Sequence, residues 1–370
     1  MRVPMFDLRV TDSELKNDLM NSFERVLDHG MLFLGPEVEE LENLMAKYIG
    51  KKYAVGVGSG SSALYIALKA CGIGPGDEVI TTPLTWIITV NAIAACGAIP
   101  VFADVQLDFN IDPKSIEERI TSKTKAIVPM HYGGHMCDME SICNIAEKNN
   151  LIIVEDAAQA FSGQLNGKKA GSFSLVAGIS MNPMKVFGGY GEAGVAVTDD
   201  ENIYVKLKQL RHAGTASDIK KGVTNECLHV SLNHKMDTIN AALLLVAFKY
   251  LPEKQKIREM IAERYDLELS SDVGRQGYLA GEKHARYVYV IKHKNRDKLK
   301  TFLNDNDIET KIMNEPLACD APVFEKYNHH KLPTARMILA NSLVIPSHEK
   351  LSSFQIDHVI SKIHEFSKLI

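Results

Sequence analysis

Tryptophan is nearly missing from this sequence: Trp86 is the single example in 370 residues. Cysteine pairing motifs are missing altogether. The six cysteines (Cys71, Cys96, Cys137, Cys143, Cys227, Cys319) include no CxxC pair, which excludes a zinc knuckle or disulfide frame and leaves reduced thiols as the expectation. A basic excess is also lacking. Lys and Arg total 42 against 46 Asp and Glu, a net charge of −4. A general nucleic-acid binder would carry the opposite sign, although a local anion site stays open. The N-terminal MRVPMFDLRVTD holds no long apolar run, so no signal peptide is expected, and the run 241–248 is too short to span a bilayer. No repeat or low-complexity stretch occurs. With 45% apolar and 24% charged residues, the chain has ordinary globular composition, which excludes disorder, collagen and coiled coil. A cytoplasmic protein without membrane or nucleic-acid partners is expected. At roughly 150 residues per domain, it has about two domains.

Short β-rich runs alternate with helical patterns over the first 200 residues. Strands are expected at 53–57, 78–82, 101–105, 126–129 and 151–154. Helices are expected at 61–70, 86–96, 113–120 and 139–148. Strands separated by 10–15-residue helices imply βαβ units and a mostly parallel sheet covered on both faces. The unbroken run LIIV (151–154) suits a strand buried on both sides. From Lys235 the texture changes to a long helical stretch with Pro252 as the expected break or kink. A strand (287–292), a helix (296–304), a strand (308–312) and two helices (334–341, 353–366) follow. The fold expected is α/β, with a large domain over residues 1–250 and a smaller α+β domain over 251–370.

Ligands of open parallel sheets bind beyond the carboxyl ends of the strands, and three of those ends carry unusual residues. The first, GVGSGSSAL (56–64), runs from a strand through small residues into a helix. Free N–H groups and the helix dipole there suit a phosphate; a tight turn with a serine N-cap is the plainer reading. Because the spacing is GxGxG and Asp77-Glu78 precede the next strand, a dinucleotide site is disfavoured. The second end, VEDAAQ (154–159), places two acids directly after an apolar strand. A buried Asp156 needs a partner such as a cationic ring nitrogen, unless it is only a helix N-cap. The third stretch, residues 176–198, contains Lys185 and Glu192 as its only charged residues. Desolvation favours a neutral, nucleophilic amine at Lys185; a lysine reaching out along an edge is the alternative.

A phosphate cradle, a strand-end carboxylate and a lysine are the three parts a pyridoxal 5′-phosphate (PLP) site requires. Trp86, in the turn TPLTW (82–86), would cover the flat ring or else pack in the core.

These segments, with PVFADV (100–105), NIDP (110–113), TKAIVPMHYGG (124–134), VEDAAQA (154–160), GSFS (171–174), SMNPMK (180–185), GEAG (191–194), NHKMD (233–237), LP (332–333) and IPSH (345–348), resemble the DegT/DnrJ family of nucleotide-sugar aminotransferases. The likeness runs nearly end to end. It implies the PLP fold type I, aspartate-aminotransferase-like, and a transamination from an amino acid, L-glutamate, to a keto group of a nucleotide-linked sugar in amino-sugar and surface-polysaccharide biosynthesis. By the same resemblance Lys185 is the Schiff-base lysine, and Asp156 the acid at the pyridine nitrogen. Gln159 lies beside the phenolic oxygen, and Trp86 stacks on the ring. Gly60, Ser61 and Ser180 hold the phosphate. Asn233 matches an asparagine that reaches the phosphate of a neighbouring subunit, which implies a homodimer with shared sites.

Three positions depart from the family pattern: Val186 after the lysine, Ala193 within GEAG, and Met313-Asn314-Glu315-Pro316 where relatives often read His-Tyr-Pro. The last bears on the substrate pocket. Alternatives are another fold-type-I reaction, such as sulfur removal from cysteine, and a PLP-binding regulator without turnover; the dehydratases of the family carry His in place of the lysine. No metal is expected at His131 and His135, whose MHYGGH segment reads as a loop. His329-His330 and the basic run 292–298 read as solvated surface.

Overall fold

The computed structural model describes residues 1–216 and 225–369. Two helices for which the sequence reading assigned no element come first, α1 (Ser13–His29) and α2 (Pro36–Ile49). Asp12 caps α1 by accepting from the Leu15 N–H, and Gly30 and Gly50 end the two helices in the left-handed conformation. Strands and helices then alternate: β1 (Tyr53–Val57), α3 (Gly60–Ala70), β2 (Glu78–Thr81), α4 (Ile88–Ala95), β3 (Ile99–Phe102), α5 (Pro113–Arg119), β4 (Thr124–Val128), α6 (Met139–Lys148) and β5 (Ile152–Asp156). A small hairpin, β6 (Gln164–Leu165) and β7 (Lys168–Lys169), precedes β8 (Val176–Ser180), β9 (Gly194–Thr198) and α7 (Glu201–Arg211).

The main sheet has seven strands in the order β1-β9-β8-β5-β4-β2-β3. β3, β2, β4, β5 and β8 pair in parallel, and β9 runs against both β8 and β1. β9 is therefore the one reversed strand, and the sheet is mostly parallel, as expected. Successive strand residues serve opposite faces. Val79 and Val154 join the core under α3, α4 and α7, while Ile80 and Ile153 join the core under α2 and α6. Burial of both faces explains the unbroken apolar runs.

The rest of the chain comprises α8 (Thr238–Glu268), β10 (Gly274–Arg275), β11 (Glu282–Lys283), β12 (Tyr289–Lys292), α9 (Arg296–Asp305), α10 (Pro333–Asn341), β13 (Ser342–Ile345) and α11 (Ser353–Leu369). β10, β12 and β13 form an antiparallel sheet. A third core lies there, built by Leu299, Leu303, Leu343, Val359 and Ile363, and joined by Val3 from the first residues of the chain.

Three expectations are corrected. Of the break or kink expected at Pro252, the break does not occur: Pro252 lies inside α8, which is 31 residues long in all. A mid-helix proline costs about 3 kcal/mol, and burial on both sides of it offsets that. Ala241, Leu244, Ala247 and Leu251 enter the main core, and Ile261, Ala262 and Tyr265 the third. α8 thus spans residue 250. Residues 308–312 form no sheet strand; Ile308 and Lys311 make single bridges to Val3 and Val344. The basic run 292–298 is not wholly solvated, since His293 and Arg296 are buried. The Arg296 guanidinium donates to the carbonyls of Leu339 and Ser342, joining α10 to β13. No helix among the described residues is long and apolar enough to cross a membrane.

Candidate active site

Because β1, β2, β5 and β8 run the same way, their carboxyl ends open on one edge of the sheet. Between that edge and residues 287 and 311–314 lies a cavity of about 370 Å³, within the roughly 300–1,000 Å³ of small-molecule sites. Gly60, Ser61, Trp86, Asp156, Gln159, Ser180 and Lys185 all line it. Seven of the eight residues singled out from sequence are brought together. The eighth, Asn233, is exposed, bridged to His212 and outside the cleft of its own chain.

After β1, Ser59 is the N-cap of α3: its hydroxyl accepts from the Ser62 N–H and bonds the Ser62 hydroxyl, which also contacts His234 Nδ1 at 3.0 Å. The helix start therefore lines the cleft through Gly60 and Ser61, beside Ser180. The cradle is tight. A Cβ on Gly60 would lie 2.6 Å from Ser180 Cβ, and one on Gly194 would lie 2.5 Å from the Ser59 carbonyl. Only glycine lets β8, β9 and the start of α3 approach this closely.

The two acids at the end of β5 point to opposite faces. Glu155 is wholly buried and accepts from His131 Nε2 at 2.8 Å, the Gly171 and Phe173 amides and the Ser174 hydroxyl. Burial would raise its carboxyl, yet these partners hold it below the usual range. Asp156, 3% exposed, faces the cleft. Its oxygens accept from the Thr89 hydroxyl at 2.7 Å and the Ala158 N–H at 3.1 Å, and Thr85 bonds Thr89 in turn. Burial lifts the Asp156 carboxyl above its ordinary range despite these bonds and the nearby Lys185 charge. Among the described residues it has no ion-pair partner. A cation placed against it would relieve that burial, so the chemistry of the site fits a pyridinium nitrogen.

The apolar stretch 176–198 folds as β8, a turn and β9, and the turn carries Lys185. Its Nζ lies 4.4 Å from the centre of the Tyr287 ring. Gln159 is buried, with its Oε1 accepting from the Gly133 N–H at 2.8 Å. Trp86 is 58% exposed and forms part of the cleft wall; it does not pack in the core. Val186 and Ala193, two of the departures from the family pattern, are buried in the main core. The third departure does reach the cleft, through Met313 and Asn314 together with Lys311. Asn314 is buried, with a left-handed backbone (φ 62°), and its Nδ2 has no partner.

Sequence reasoning missed Thr89, Tyr287 and Lys311, and noted Glu192 without giving it a role. Thr89 lies one helical turn beyond TPLTW, and Tyr287 and Lys311 come from the far end of the chain with no local signature. His131 and His135 carry carboxylate partners; His135 lies between Asp108 (3.1 Å) and Glu282 (2.6 Å). No group of three or more His, Cys, Asp or Glu among the described residues suits a metal.

The model of the DegT/DnrJ/EryC1/StrS aminotransferase family matches residues 13–364. The chain belongs to that family. The pleiotropic regulatory protein of Geobacillus stearothermophilus is 37% identical over 99% of both chains. The dTDP-3-amino-3,6-dideoxy-alpha-D-galactopyranose transaminase of Aneurinibacillus thermoaerophilus is 32% identical over 98% of this aminotransferase and 99% of the relative. Among solved structures, DesV of S. venezuelae in complex with a ketimine intermediate superposes with a TM-score of 0.94 at 31% identity, covering 100% of this chain and 99% of that one. Another, ntda of Bacillus subtilis with bound cofactor PMP, gives 0.91 at 29% identity over 99% and 85%. The fold is the PLP fold type I of these aminotransferases.

Proposed function

We propose that this PLP-dependent aminotransferase moves an amino group from an amino acid, L-glutamate, to a keto group of a nucleotide-linked sugar, in the cytoplasm, for amino-sugar and surface-polysaccharide biosynthesis. One observation carries the reading: the buried Asp156 carboxyl, lifted by burial and without a cation of its own, faces the same cleft as Lys185 and the start of α3. When bound, PLP supplies a carbonyl that exchanges the amino group and a ring that withdraws electrons from the reacting carbon.

This chain's residues do the rest. Amides at the start of α3, with Ser61 and Ser180, hold the phosphate in the positive field of the helix end. Asp156, oriented by Thr89 and the Ala158 N–H, keeps a proton on the ring nitrogen. Gln159, fixed by Gly133, hydrogen-bonds the ring's oxygen, and Trp86 shields the ring from water. Lys185 holds the cofactor through Nζ; once released, Nζ takes a proton from the substrate carbon and later gives it up, acting as base and then acid. Lys311, Met313 and Asn314 form the wall open to substrate.

The working form in this reading is a homodimer in which Asn233 of one copy reaches the phosphate end of the other copy's cleft. Leu228, Val230 and Leu232, exposed at alternate positions just before Asn233, offer an apolar strip for such a contact. The test is Lys185→Ala. The variant is expected to lose the visible absorbance of the lysine-bound cofactor and to convert no nucleotide-linked keto-sugar with glutamate; full activity overturns the assignment. Similarity to the pleiotropic regulatory protein of Geobacillus stearothermophilus favours a second reading, a PLP-binding regulator. Uptake of cofactor with no amine transfer from any amino acid would select it.

A further inference from the structure

Tyr287 comes from the segment leading into β12, far in sequence from every motif of the cleft, and its buried ring forms part of the cleft wall. Lys185 Nζ stands over the face of that ring, 4.4 Å from its centre. The segment is held from several sides. The Ala285 and Val288 amides donate to the carbonyls of Gly134 (2.8 Å) and Gly133 (3.2 Å). Gly134 has φ +101°, and a Cβ there would meet the Tyr287 nitrogen at 3.0 Å. Arg258 donates to the Tyr287 carbonyl at 3.1 Å and pairs with Glu349. Arg286, itself in the left-handed region, is anchored by two bonds to Glu259 and one to the Tyr278 hydroxyl. The Gly133 N–H also fixes Gln159, so one dipeptide places both Gln159 and the Tyr287 ring.

An ammonium over an aromatic face is attracted by the ring quadrupole, and a neutral amine is not. The attraction therefore exists only while Nζ carries a proton. We propose that Tyr287 is a further catalytic residue of this aminotransferase, its ring face seating the Lys185 ammonium between the two proton transfers. The proton taken from the substrate carbon converts the Nζ amine to ammonium. Its departure restores the amine and frees Nζ from the ring. This rests on the reading of Lys185 as the acid–base group of a transamination.

Tyr287→Leu and Tyr287→Met, two apolar replacements of different shape, are compared with Tyr287→Phe in the full-length protein. Two quantities are measured. One is the single-turnover rate with glutamate in the PLP-loaded enzyme. The other is the rate of Lys185 acetylation by acetic anhydride in cofactor-stripped protein, read by mass spectrometry against surface lysines of the same sample. The leucine and methionine variants are expected to turn over about tenfold more slowly and to be acetylated at Lys185 several-fold faster, in line with a desolvated cation–π contact. Phenylalanine is expected to recover most of both losses. Wild-type values for a folded leucine or methionine variant in either measurement overturn the proposal. So does a phenylalanine variant as impaired as leucine, which would assign the effect to the hydroxyl. If the wild-type protein itself takes no amine from any amino acid, it is the functional reading that fails; the acetylation comparison still reports whether the ring seats the ammonium.

Discussion

Replacing Thr89 by valine tests the account of Asp156 directly. Thr89 is 2% exposed and Asp156 3%, and the hydroxyl donates to the carboxylate at 2.7 Å. Valine keeps the shape and removes the donor, and no water can take its place in so buried a contact. A hydrogen bond to a charged group contributes about 1.5–3 kcal/mol, of which the added apolar methyl returns about 0.8 kcal/mol. The net loss is about 1–2 kcal/mol, and it applies only while Asp156 is ionised. Burial raises the Asp156 carboxyl, so the folded chain keeps a proton that the unfolded chain has already released. Stability therefore falls as pH rises above the ordinary Asp value. Loss of Thr89 steepens that fall, so the destabilisation is smaller at pH 4.5 than at pH 8. Urea midpoints of wild type and variant at the two pH values measure it. PLP affinity gives a second readout through the fluorescence of Trp86, the sole tryptophan and a residue of the cleft wall. At pH 8 the variant is expected to bind PLP about tenfold more weakly, the equivalent of about 1.4 kcal/mol. An equal destabilisation at both pH values, or unchanged PLP affinity at pH 8, refutes the reasoning.

Glu282→Gln is expected to weaken the fold in a pH-dependent way. Burial pulls His135 down, but its bonds to Asp108 and Glu282 outweigh this and push it up to about 9 from 6.5. The folded value lies above the unfolded one, so the contribution is complete below about 6.5 and is lost as pH rises through about 9. Glu282→Gln removes roughly half of about 3 kcal/mol. Urea midpoints at pH 6 and 9.5 should differ less in the variant than in wild type, and an unaltered difference contradicts this. Asn314→Gly deletes an unpartnered amide while keeping a left-handed backbone that glycine adopts freely. The KM for the keto-sugar is expected to rise about tenfold, with a much smaller rise for the amino donor; the reverse pattern would place Asn314 on the donor side.

Much of the main sheet was legible because strands buried on both faces must be short and apolar, and α3, α5 and α6 between them start at side-chain caps. β1 and α6 lie where the patterns put them. β8 and β9 were legible only as an apolar stretch, since burial on both faces removes the alternation that marks a strand. The run 308–312 looks like a strand, yet its main chain meets Val3 and Val344 in single bridges. Arg296 reads as surface in a basic run, and its burial depends on carbonyls more than 40 residues away.

By itself the sequence determined the alternation of strands and helices from β1 to β5, the residue types at each strand end and the family, because these depend on local pattern and on motifs that stand in the chain. Seven of its eight site residues converge, for the physical reason that parallel strands end on one edge. Tertiary structure alone decided which acid of Glu155-Asp156 faces the cleft, that Thr89 bonds it, and that Tyr287 and Lys311 join Asn314 in the opposite wall. Those contacts depend on the alternation of a particular strand, the crossing of a helix over a sheet and the packing of the last third of the chain on the first, none of which any short stretch of residues specifies.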